Sequence, residues 1–233
     1  KLLGLCGLRR PLLPYHEHNA ARVRPEIVAR LRAGATVALV SDAGTPLISD
    51  PGYRLVREAR ETGVNVIAIP GACAAISALS IAGLPSDRFL FAGFLPVKDK
   101  ARREALEGLA QIAATLVFYE TAPRLDRSLQ TIAELWPERD VAVARELTKL
   151  HEECRSGTAA SLAAHYTAHP PKGEIVLLIG PPAAAEAPVL DADALLRAAL
   201  ADAGPGKAAG MVAKATGLDR ALLYARALEL KGA

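Results

Sequence analysis

Short apolar runs rich in Val and Ile alternate with helical patterns along most of the chain, and this alternation constrains the fold more than any other feature. It is typical of α/β architecture with largely parallel sheets. Near-continuous apolar runs such as Val37–Val40 and Ile175–Ile179 suit a sheet that helices cover on both faces. The strands that we predict are 36–41, 64–69, 89–94, 115–119, 141–147, 152–156 and 174–179.

Two stretches of different composition divide this pattern. Phe94-Leu95-Pro96, followed by the charged residues 98–100, predicts a joint between two α/β halves, and the Pro- and Ala-rich stretch 181–188 predicts a linker. We therefore expect an N-terminal α/β domain over 1–94, a second α/β domain over 95–182, and a linker with a helical tail over 183–233. The predicted helices are 25–33, 52–61, 73–82, 99–110, 124–135, 158–167, 191–203, 207–216 and 219–230, with Gly217 between the last two.

The net charge of +3 is concentrated in the tail. Residues 205–233 contain five basic and two acidic side chains, so the rest of the chain is neutral. This is too little charge for a histone-like coat on nucleic acid, but the tail cations are available to contact phosphates. The alternative is that the tail is a small helical cap or a dimer element. The five basic residues are Lys207, Lys214, Arg220, Arg226 and Lys231.

Composition excludes several classes of protein and indicates a compartment. A hydrophobic content of 51%, with Gly and Pro scattered without period, excludes intrinsically disordered, collagen-like and coiled-coil chains. Three cysteines without CxxC spacing fit neither a disulfide framework nor a zinc site, so we expect a reducing cytoplasm. The uncharged run 62–86 is interrupted by Pro70-Gly71 and predicts a buried strand, turn and helix, not a membrane span. No signal peptide is expected at the start of the chain.

The loop Ser41–Gly52 leaves one predicted strand and enters a helix, which is where open α/β sheets place ligand sites. Small residues at Ala43 and Gly44 allow close approach of a ligand to the main chain. Part of the loop has a simpler interpretation: Asp50 before Pro51 has the form of a helix N-cap followed by proline. Two successive turn signals nevertheless exceed what a connection needs, so we expect the loop as a whole to bind a ligand.

Other strand ends also carry candidate residues. The loop 69–75 opens a helix of very small residues, where Cys73 is expected to be a small hydrophobic residue, not a nucleophile. Glu120 follows a buried strand, and residues 145–149 end another; an Arg145–Glu146 ion pair, or exposure of both, is the alternative to a role in chemistry. His16-Glu17-His18 has strand spacing and no third ligand, so we expect no metal. Neither GxGxxG nor GxxxxGK[ST] occurs, which argues against dinucleotide and P-loop sites.

Five long strings resemble the ribosomal small-subunit RNA methyltransferase I group of the tetrapyrrole methylase superfamily. The match is collinear along the whole chain. The strings are VALVSDAGTPLISDPGYRLV at 37–56, IPGACAAISALSIAGLPSDRFLFAGFLP at 69–96, TLVFYETAPRL at 115–125, VAVARELTKLHEE at 141–153 and KGEIVLLIG at 172–180.

The resemblance implies two α/β domains with S-adenosylmethionine in the cleft between them and a small C-terminal helix-turn-helix-like tail. It also implies a homodimer that methylates the ribose 2′-oxygen of a cytidine in the decoding region of small-subunit (16S) ribosomal RNA, with the RNA or the 30S particle as partner. By analogy, the cofactor would contact Ala43, Gly44, Thr45, Ile48, Cys73, Ala74, Tyr119, Glu120 and Leu147.

The chemistry of methyl transfer needs positioning and a proton acceptor but no metal. A sulfonium methyl is already electrophilic, and holding the attacking oxygen in line with it can supply about 7–11 kcal/mol of the barrier. A ribose hydroxyl must lose its proton, so a nearby carboxylate or amine would act as the base. Our candidates are Glu146 and Lys149, followed by Asp42. With only ten aromatic residues, RNA recognition must depend on charge and shape.

Two alternatives remain open. One is a methylase of a corrinoid or porphyrinoid precursor, which would need no basic tail. The other is a non-catalytic RNA- or ribosome-binding homologue. It has support because members of the group begin with a strand, a Gly-rich loop and a second strand, and this chain starts after them. We expect that segment to be truncated or incompletely ordered, and its absence would remove strands and a cofactor loop.

Overall fold

A computed structural model describes residues 2–183, 192–216 and 218–232. These residues fall into two compact units, which are divided between Pro181 and Pro182. Most of the predicted linker, together with Asp191 and Gly217, lies outside the described residues. None of the described helices is long and apolar enough to cross a membrane. The division of the larger unit near residue 94 stays a prediction.

The larger unit contains a five-stranded mixed sheet in the order β1-β2-β5-β3-β4. Within this sheet β1 and β2 are parallel and the other three pairings are antiparallel, so the prediction of largely parallel sheets is wrong. A parallel pairing needs a crossover of a dozen or more residues, and only residues 146–152 join β3 to β4. The strands are β1 (Phe89–Phe94), β2 (Thr115–Thr121), β3 (Asp140–Arg145), β4 (Glu153–Thr158) and β5 (Glu174–Ile179).

Helices precede, separate and follow these strands, which confirms the α/β class with a C-terminal helical region. The described helices of the larger unit are α1 (Leu2–Leu5), α2 (Glu17–Arg32), α3 (Tyr53–Glu61), α4 (Ala74–Ile81), α5 (Asp99–Glu107), α6 (Ala122–Leu135) and α7 (Ala159–Ala168). The described part of the tail unit contains α8 (Ala192–Asp202), α9 (Pro205–Thr216) and α10 (Arg220–Gly232).

The two faces of the sheet have separate cores because successive strand residues point to opposite sides. On one face, Leu116 and Phe118 of β2 pack with leucines of α5, α6 and α7. On the other face, Val117 of β2 and the small residues Ala142 and Ala144 of β3 pack against α4.

The predicted strands 36–41 and 64–69 are not strands. Among the described residues, the main chain of 36–40 and 65–71 makes no main-chain hydrogen bond, and Ile67 and Ile69 are 72% and 83% exposed. A strand is defined by its pairing, and these segments have no partner within the described chain. The prediction was wrong because β-branched composition indicates extended backbone but does not supply a neighbouring strand.

Tyr166 of α7 is 4% exposed, and its hydroxyl has no hydrogen-bond partner among the described residues. Burial raises the pKa of this phenol to about 12. An unsatisfied buried hydroxyl costs about 1–3 kcal/mol, so we expect Tyr166→Phe to raise the free energy of unfolding by about 1 kcal/mol. Urea titration of both proteins measures the difference, with Tyr224→Phe on the exposed surface as the control. Destabilisation by Tyr166→Phe would mean that the hydroxyl has a partner.

The tail unit has its own small core. Leu196 of α8, Val212 of α9, and Leu223 and Ala227 of α10 are buried together. Arg226 of α10 binds Asp193 of α8 through Nε and Nη2 and joins these two helices at the surface. Three helices that share one core fit the predicted helical tail.

Candidate functional site

The loop 41–52 is held by its own polar side chains. Ser41 Oγ donates to Asp50 Oδ2 at 2.7 Å and lies 3.0 Å from the carbonyl oxygen of Ala43. Asp50 is therefore not the N-cap that we predicted; α3 begins at Tyr53, and Gly52 occupies the cap position. The prediction failed because Pro51 lies before the helix, where Gly52 has a φ of 142° that side-chain-bearing residues rarely adopt.

This loop contacts the second candidate loop. Thr45 Oγ1 donates to the carbonyl oxygen of Ala72 at 3.0 Å, across 27 residues of sequence. A Cβ built on Gly44 would lie 3.8 Å from the same oxygen, and Gly44 has a φ of 67°. The structure thus brings the predicted cofactor residues 43–45 next to residues 72–74.

Backbone strain is concentrated in two of the candidate loops. Among the described residues, four that are not glycine have a positive φ, namely Leu47, Ser49, Glu146 and Thr148. All four lie between 47 and 49 or between 146 and 148. Such conformations are uncommon for side-chain-bearing residues and persist where surrounding structure enforces them, which happens often at ligand sites. The strain supports a functional interpretation of both loops.

Three predicted cofactor residues meet on the α4 face of the sheet. Cys73, Tyr119 and Leu147 pack against the same buried cluster. Burial raises the pKa of Tyr119; the neighbouring Cys73 and Asp50 act in the same direction, and the Ala75 amide opposes them. The Tyr119 hydroxyl therefore lies at the start of α4. The rings of Phe91 and Phe94 pack edge-on to Tyr119 at 4.8 and 5.7 Å between centroids, which fixes its orientation.

Glu120 points the other way from Tyr119, because adjacent strand residues face opposite sides of a sheet. Its side chain is fully buried, with the Arg124 guanidinium 3.1 Å from Oε1. The Thr121 amide also donates to Oε1, and Ser128 Oγ donates to Oε2 at 2.7 Å. The carboxylate therefore binds the first turns of α6. A contact of Glu120 with the cofactor stays a prediction. Since the carboxylate is engaged by α6, such a contact would have to come from the Glu120 main chain.

The three candidate bases do not lie in one cluster. Lys149 Nζ is 3.0 Å from Glu146 Oε1, and the Glu146 side chain is 21% exposed. A Cβ at Gly173, whose φ is 83°, would overlap the Glu146 carboxylate, so this glycine makes room for it. Asp42 is exposed, and its side chain forms no hydrogen bond or ion pair with the described residues. Predicted Ile48 is also partly exposed, at 41%.

The structure corrects two predicted interactions of charged residues. Arg145 pairs with Glu153 on β4, its register partner, and not with Glu146. Burial alone would raise the pKa of Glu153, but hydrogen bonds from Arg145 and Arg155 hold it below its usual value. His16 caps α2 and His18 lies in its first turn, so these residues have helical and not strand spacing. Within the described ranges, no three His, Cys, Asp or Glu side chains form a group able to hold a metal ion.

Sequence reasoning missed the residues that hold this site in place. Arg124 binds the carbonyl oxygen of Leu95 as well as Glu120, and so joins the ends of β1 and β2. Ser128 and Gly173 position the two candidate carboxylates. Strand parity could have indicated that Glu120 faces α6, but no local signal in the sequence pairs residue 173 with residue 146.

The predicted RNA-binding residues of the tail differ in their availability. Lys207, Lys214, Arg220 and Lys231 are exposed and form no ion pair with the described residues. Arg226 is bound by Asp193 and by Glu229, which raises its pKa. Its charge is therefore already compensated.

Comparison with known proteins identifies the family of this chain. A family model described as Tetrapyrrole (Corrin/Porphyrin) Methylases matches residues 7–163, and one described as RsmI C-terminal HTH domain matches residues 186–231. The crystal structure of diphthine synthase superposes with a TM-score of 0.58 at 13% identity, covering 77% of this chain and 72% of that one. The chain belongs to the tetrapyrrole methylase family.

Full-length relatives define the group within that family. A protein of Erythrobacter litoralis (strain HTCC2594) is 63% identical over 231 residues, covering 99% of this chain and 82% of its own. A protein of Escherichia coli O157:H7 is 46% identical over 236 residues, with coverage of 99% and 82%. Both are named Ribosomal RNA small subunit methyltransferase I, and this chain is a member of their group.

Proposed function

We propose that this protein transfers a methyl group from S-adenosylmethionine to small-subunit ribosomal RNA, at the ribose 2′-oxygen of a cytidine in the decoding region. Membership of the group named Ribosomal RNA small subunit methyltransferase I supports the substrate class. The observation that carries the assignment of the site is the contact between the strained loop 41–52 and the loop 69–73. We further infer a homodimer that acts in the cytoplasm on the ribosomal particle.

The residues present fit a cofactor without phosphate or metal. Gly44 has a positive φ and lies where a Cβ would contact the Ala72 carbonyl oxygen, and Ala43, Ala72 and Ala74 have only small side chains. Cys73, Tyr119 and Leu147 form a half-buried apolar wall for the adenine or the thioether chain. When bound, the cofactor supplies an electrophilic methyl group on sulfur.

The same loops would orient the nucleophile and remove its proton. In this proposal, the Glu146 carboxylate accepts the proton of the 2′-hydroxyl. Lys149 holds Oε1 at 3.0 Å and leaves Oε2 available to the substrate. Gly173 has no Cβ, which leaves room for the carboxylate in this position. Asp42 is the alternative base, on the opposite loop.

Labelled methyl transfer tests the substrate class. We expect label from S-adenosylmethionine in small-subunit RNA, with an assembled or partly assembled particle preferred over a short oligonucleotide, because shape recognition with few aromatic residues needs a folded substrate. Equal labelling of a free cytidine-containing hexamer contradicts this preference. Transfer to a porphyrinoid or corrinoid but not to RNA favours the small-molecule methylase, and cofactor binding without transfer favours a non-catalytic homologue.

A glycine pair tests the cofactor site. Gly44 and Gly34 both have positive φ, at 67° and 91°, so alanine strains the backbone by about 1–2 kcal/mol at either position. Only Gly44 lies in the candidate site. We expect Gly44→Ala to weaken S-adenosylmethionine binding by about tenfold, which corresponds to about 1.4 kcal/mol, in calorimetric titration. Gly34→Ala should bind as the wild type does. Equal affinities of the two variants would place the cofactor elsewhere.

The tail cations are tested by the salt dependence of RNA binding. The test variant has alanine at four exposed tail positions, Lys207, Lys214, Arg220 and Lys231. We expect the slope of log K against log salt to fall by about 0.9 for each phosphate that the tail no longer neutralises, by analogy with B-DNA. Arg226→Ala is the control for a single tail cation whose charge is already bound by acids, and its slope should not change. We expect unchanged cofactor affinity in both. A constant slope in the fourfold variant would make the tail an architectural element.

A further inference from the structure

A groove of about 450 Å³ lies between α5 and α6, and none of its residues belongs to the candidate cofactor site. Basic side chains outnumber acidic ones in its lining. The charged lining residues are Lys100, Arg102, Arg103, Arg127, Asp99 and Glu134, which leaves an excess of two positive charges.

Arg102 forms the floor of the groove. It is 3% exposed, and it donates to Thr131 Oγ1 on α6, to the Val97 carbonyl oxygen and to Asp99. These bonds use three of the five N–H groups of the guanidinium. Its acidic partner Asp99 has a side chain that is 77% exposed and largely solvated. The guanidinium is thus ion-paired with Asp99, and two of its N–H groups are not used by these bonds.

The rim carries three cations, of which one is paired with an acid inside the groove. Arg103 pairs with Glu134 at one end. Lys100 lies 3.8 Å from Glu104, but both side chains are well exposed, and such a pair is worth little. Arg127 is exposed and forms no ion pair or hydrogen bond through its side chain within the described part of the chain. Lys100 and Arg127 are therefore free to bind an anion above Arg102.

The groove begins near the C-terminal ends of the strands β1 and β2. α5 starts five residues after β1 ends, and α6 follows β2 directly. Because β1 and β2 are parallel, both helices start at the same end of the two strands. Lys100 and Arg127 lie in the first two turns of these helices. Arg124 links these ends of β1 and β2. Tyr119 is near the end of β2 but faces α4, whereas the groove lies on the face that α5 and α6 cover, so an RNA strand that used both would pass around the ends of β1 and β2.

We propose that the groove binds a phosphodiester of the RNA substrate, an inference that rests on the proposed function. Arginine forks match the oxygens of a phosphate, and lysine contributes a mobile point charge. S-adenosylmethionine carries no phosphate, so the groove is not a cofactor subsite. This contact would act together with the tail and would position the ribose for transfer without touching the reacting atoms.

A double charge reversal tests this proposal on the full chain. We expect Lys100→Glu/Arg127→Glu to raise the KM for the small-subunit particle by at least about tenfold and to reduce the salt slope of RNA binding by about 1 to 2. The kcat and the affinity for S-adenosylmethionine should stay within about twofold, because phosphate contacts position the RNA and carry no chemistry. Arg30→Glu/Arg60→Glu, on exposed positions of α2 and α3, makes the same change in net charge and should leave the KM unchanged. Lys100→Arg/Arg127→Lys keeps both charges, so its salt slope should stay at the wild-type value.

Three outcomes separate the possible errors. Equal KM values for the groove and control reversals overturn the groove proposal while the proposed function stands. Wild-type protein that transfers no methyl group to small-subunit RNA overturns the proposed function, and the salt slopes then still decide whether the groove binds RNA. In the third outcome, inorganic phosphate binds the wild type but not Lys100→Glu/Arg127→Glu, and the KM and salt slope for RNA are the same in both proteins. The groove is then a small-anion site and the proposal is wrong.

Discussion

Glu146→Gln should lower kcat by about 10²- to 10⁴-fold, the usual contribution of a positioned general base. Glutamine has the same shape and still accepts a hydrogen bond from Lys149, which lies 3.0 Å from Glu146 Oε1, but it cannot take the proton of the ribose hydroxyl. Binding should change little, so KM and the cofactor affinity stay near their wild-type values. Single-turnover transfer of a labelled methyl group to the small-subunit particle measures the effect directly.

Glu138→Gln, at an exposed position after α6, is the control and should leave kcat unchanged. A kcat for Glu146→Gln within threefold of the wild type contradicts the assignment of the base. The same measurement on Asp42→Asn and Lys149→Met then tests the other two candidates. A loss of kcat in Asp42→Asn alone would move proton transfer to the opposite loop.

The second large effect concerns stability. Glu120→Ala should lower the free energy of unfolding by about 3 kcal/mol, because removal of one partner of a buried ion pair leaves the other charge uncompensated. Arg124 and Ser128 lose their carboxylate acceptor, and the Thr121 amide loses its bond. We take the lower end of the usual range because Arg124 is a quarter exposed. For a chain of this size we expect the melting temperature to fall by about 6–12 °C.

Glu120→Gln and Ser128→Ala separate the charge from the hydrogen bonds. Glutamine can still accept from Ser128 and Thr121, so this variant should lose less stability than alanine. Calorimetric melting of the three variants without cofactor measures the order. If Glu120→Ala unfolds as the wild type does while its cofactor affinity falls, the carboxylate belongs to the binding site and not to the anchor of α6.

Local sequence patterns identified the elements that have their own boundary signals. The strands 89–94 and 174–179 have the predicted bounds, because each is an apolar run between turn residues. The helices α3 to α7 begin within two residues of the predicted positions for the same reason. The segments 36–41 and 64–69 have equally good strand composition but no pairing partner among the described residues, so composition alone misjudged them.

The candidate site shows a similar division. The sequence indicated the strand-end loops, since small residues and turn signals are local, and the structure brings 43–45 next to 72–74. The sequence did not indicate that Arg145 would pair with Glu153, because that contact depends on the antiparallel register of β3 and β4. Asp50 had the local form of a helix cap, but a hydrogen bond from Ser41 takes its carboxylate.

The sequence by itself determined the α/β class, the order of most helices and strands, the separate tail and the loops that carry polar residues. These properties depend on side-chain periodicity and turn chemistry, which act over a few residues. Only the tertiary structure decided the strand order, the mixed direction of the sheet and the direction of the Glu120 carboxylate toward α6. It alone placed Gly173 under Glu146, 27 residues away, and formed the basic groove from two helices. The physical reason is that these contacts join residues far apart in the chain, and burial of both sheet faces selects among the pairings that local sequence allows.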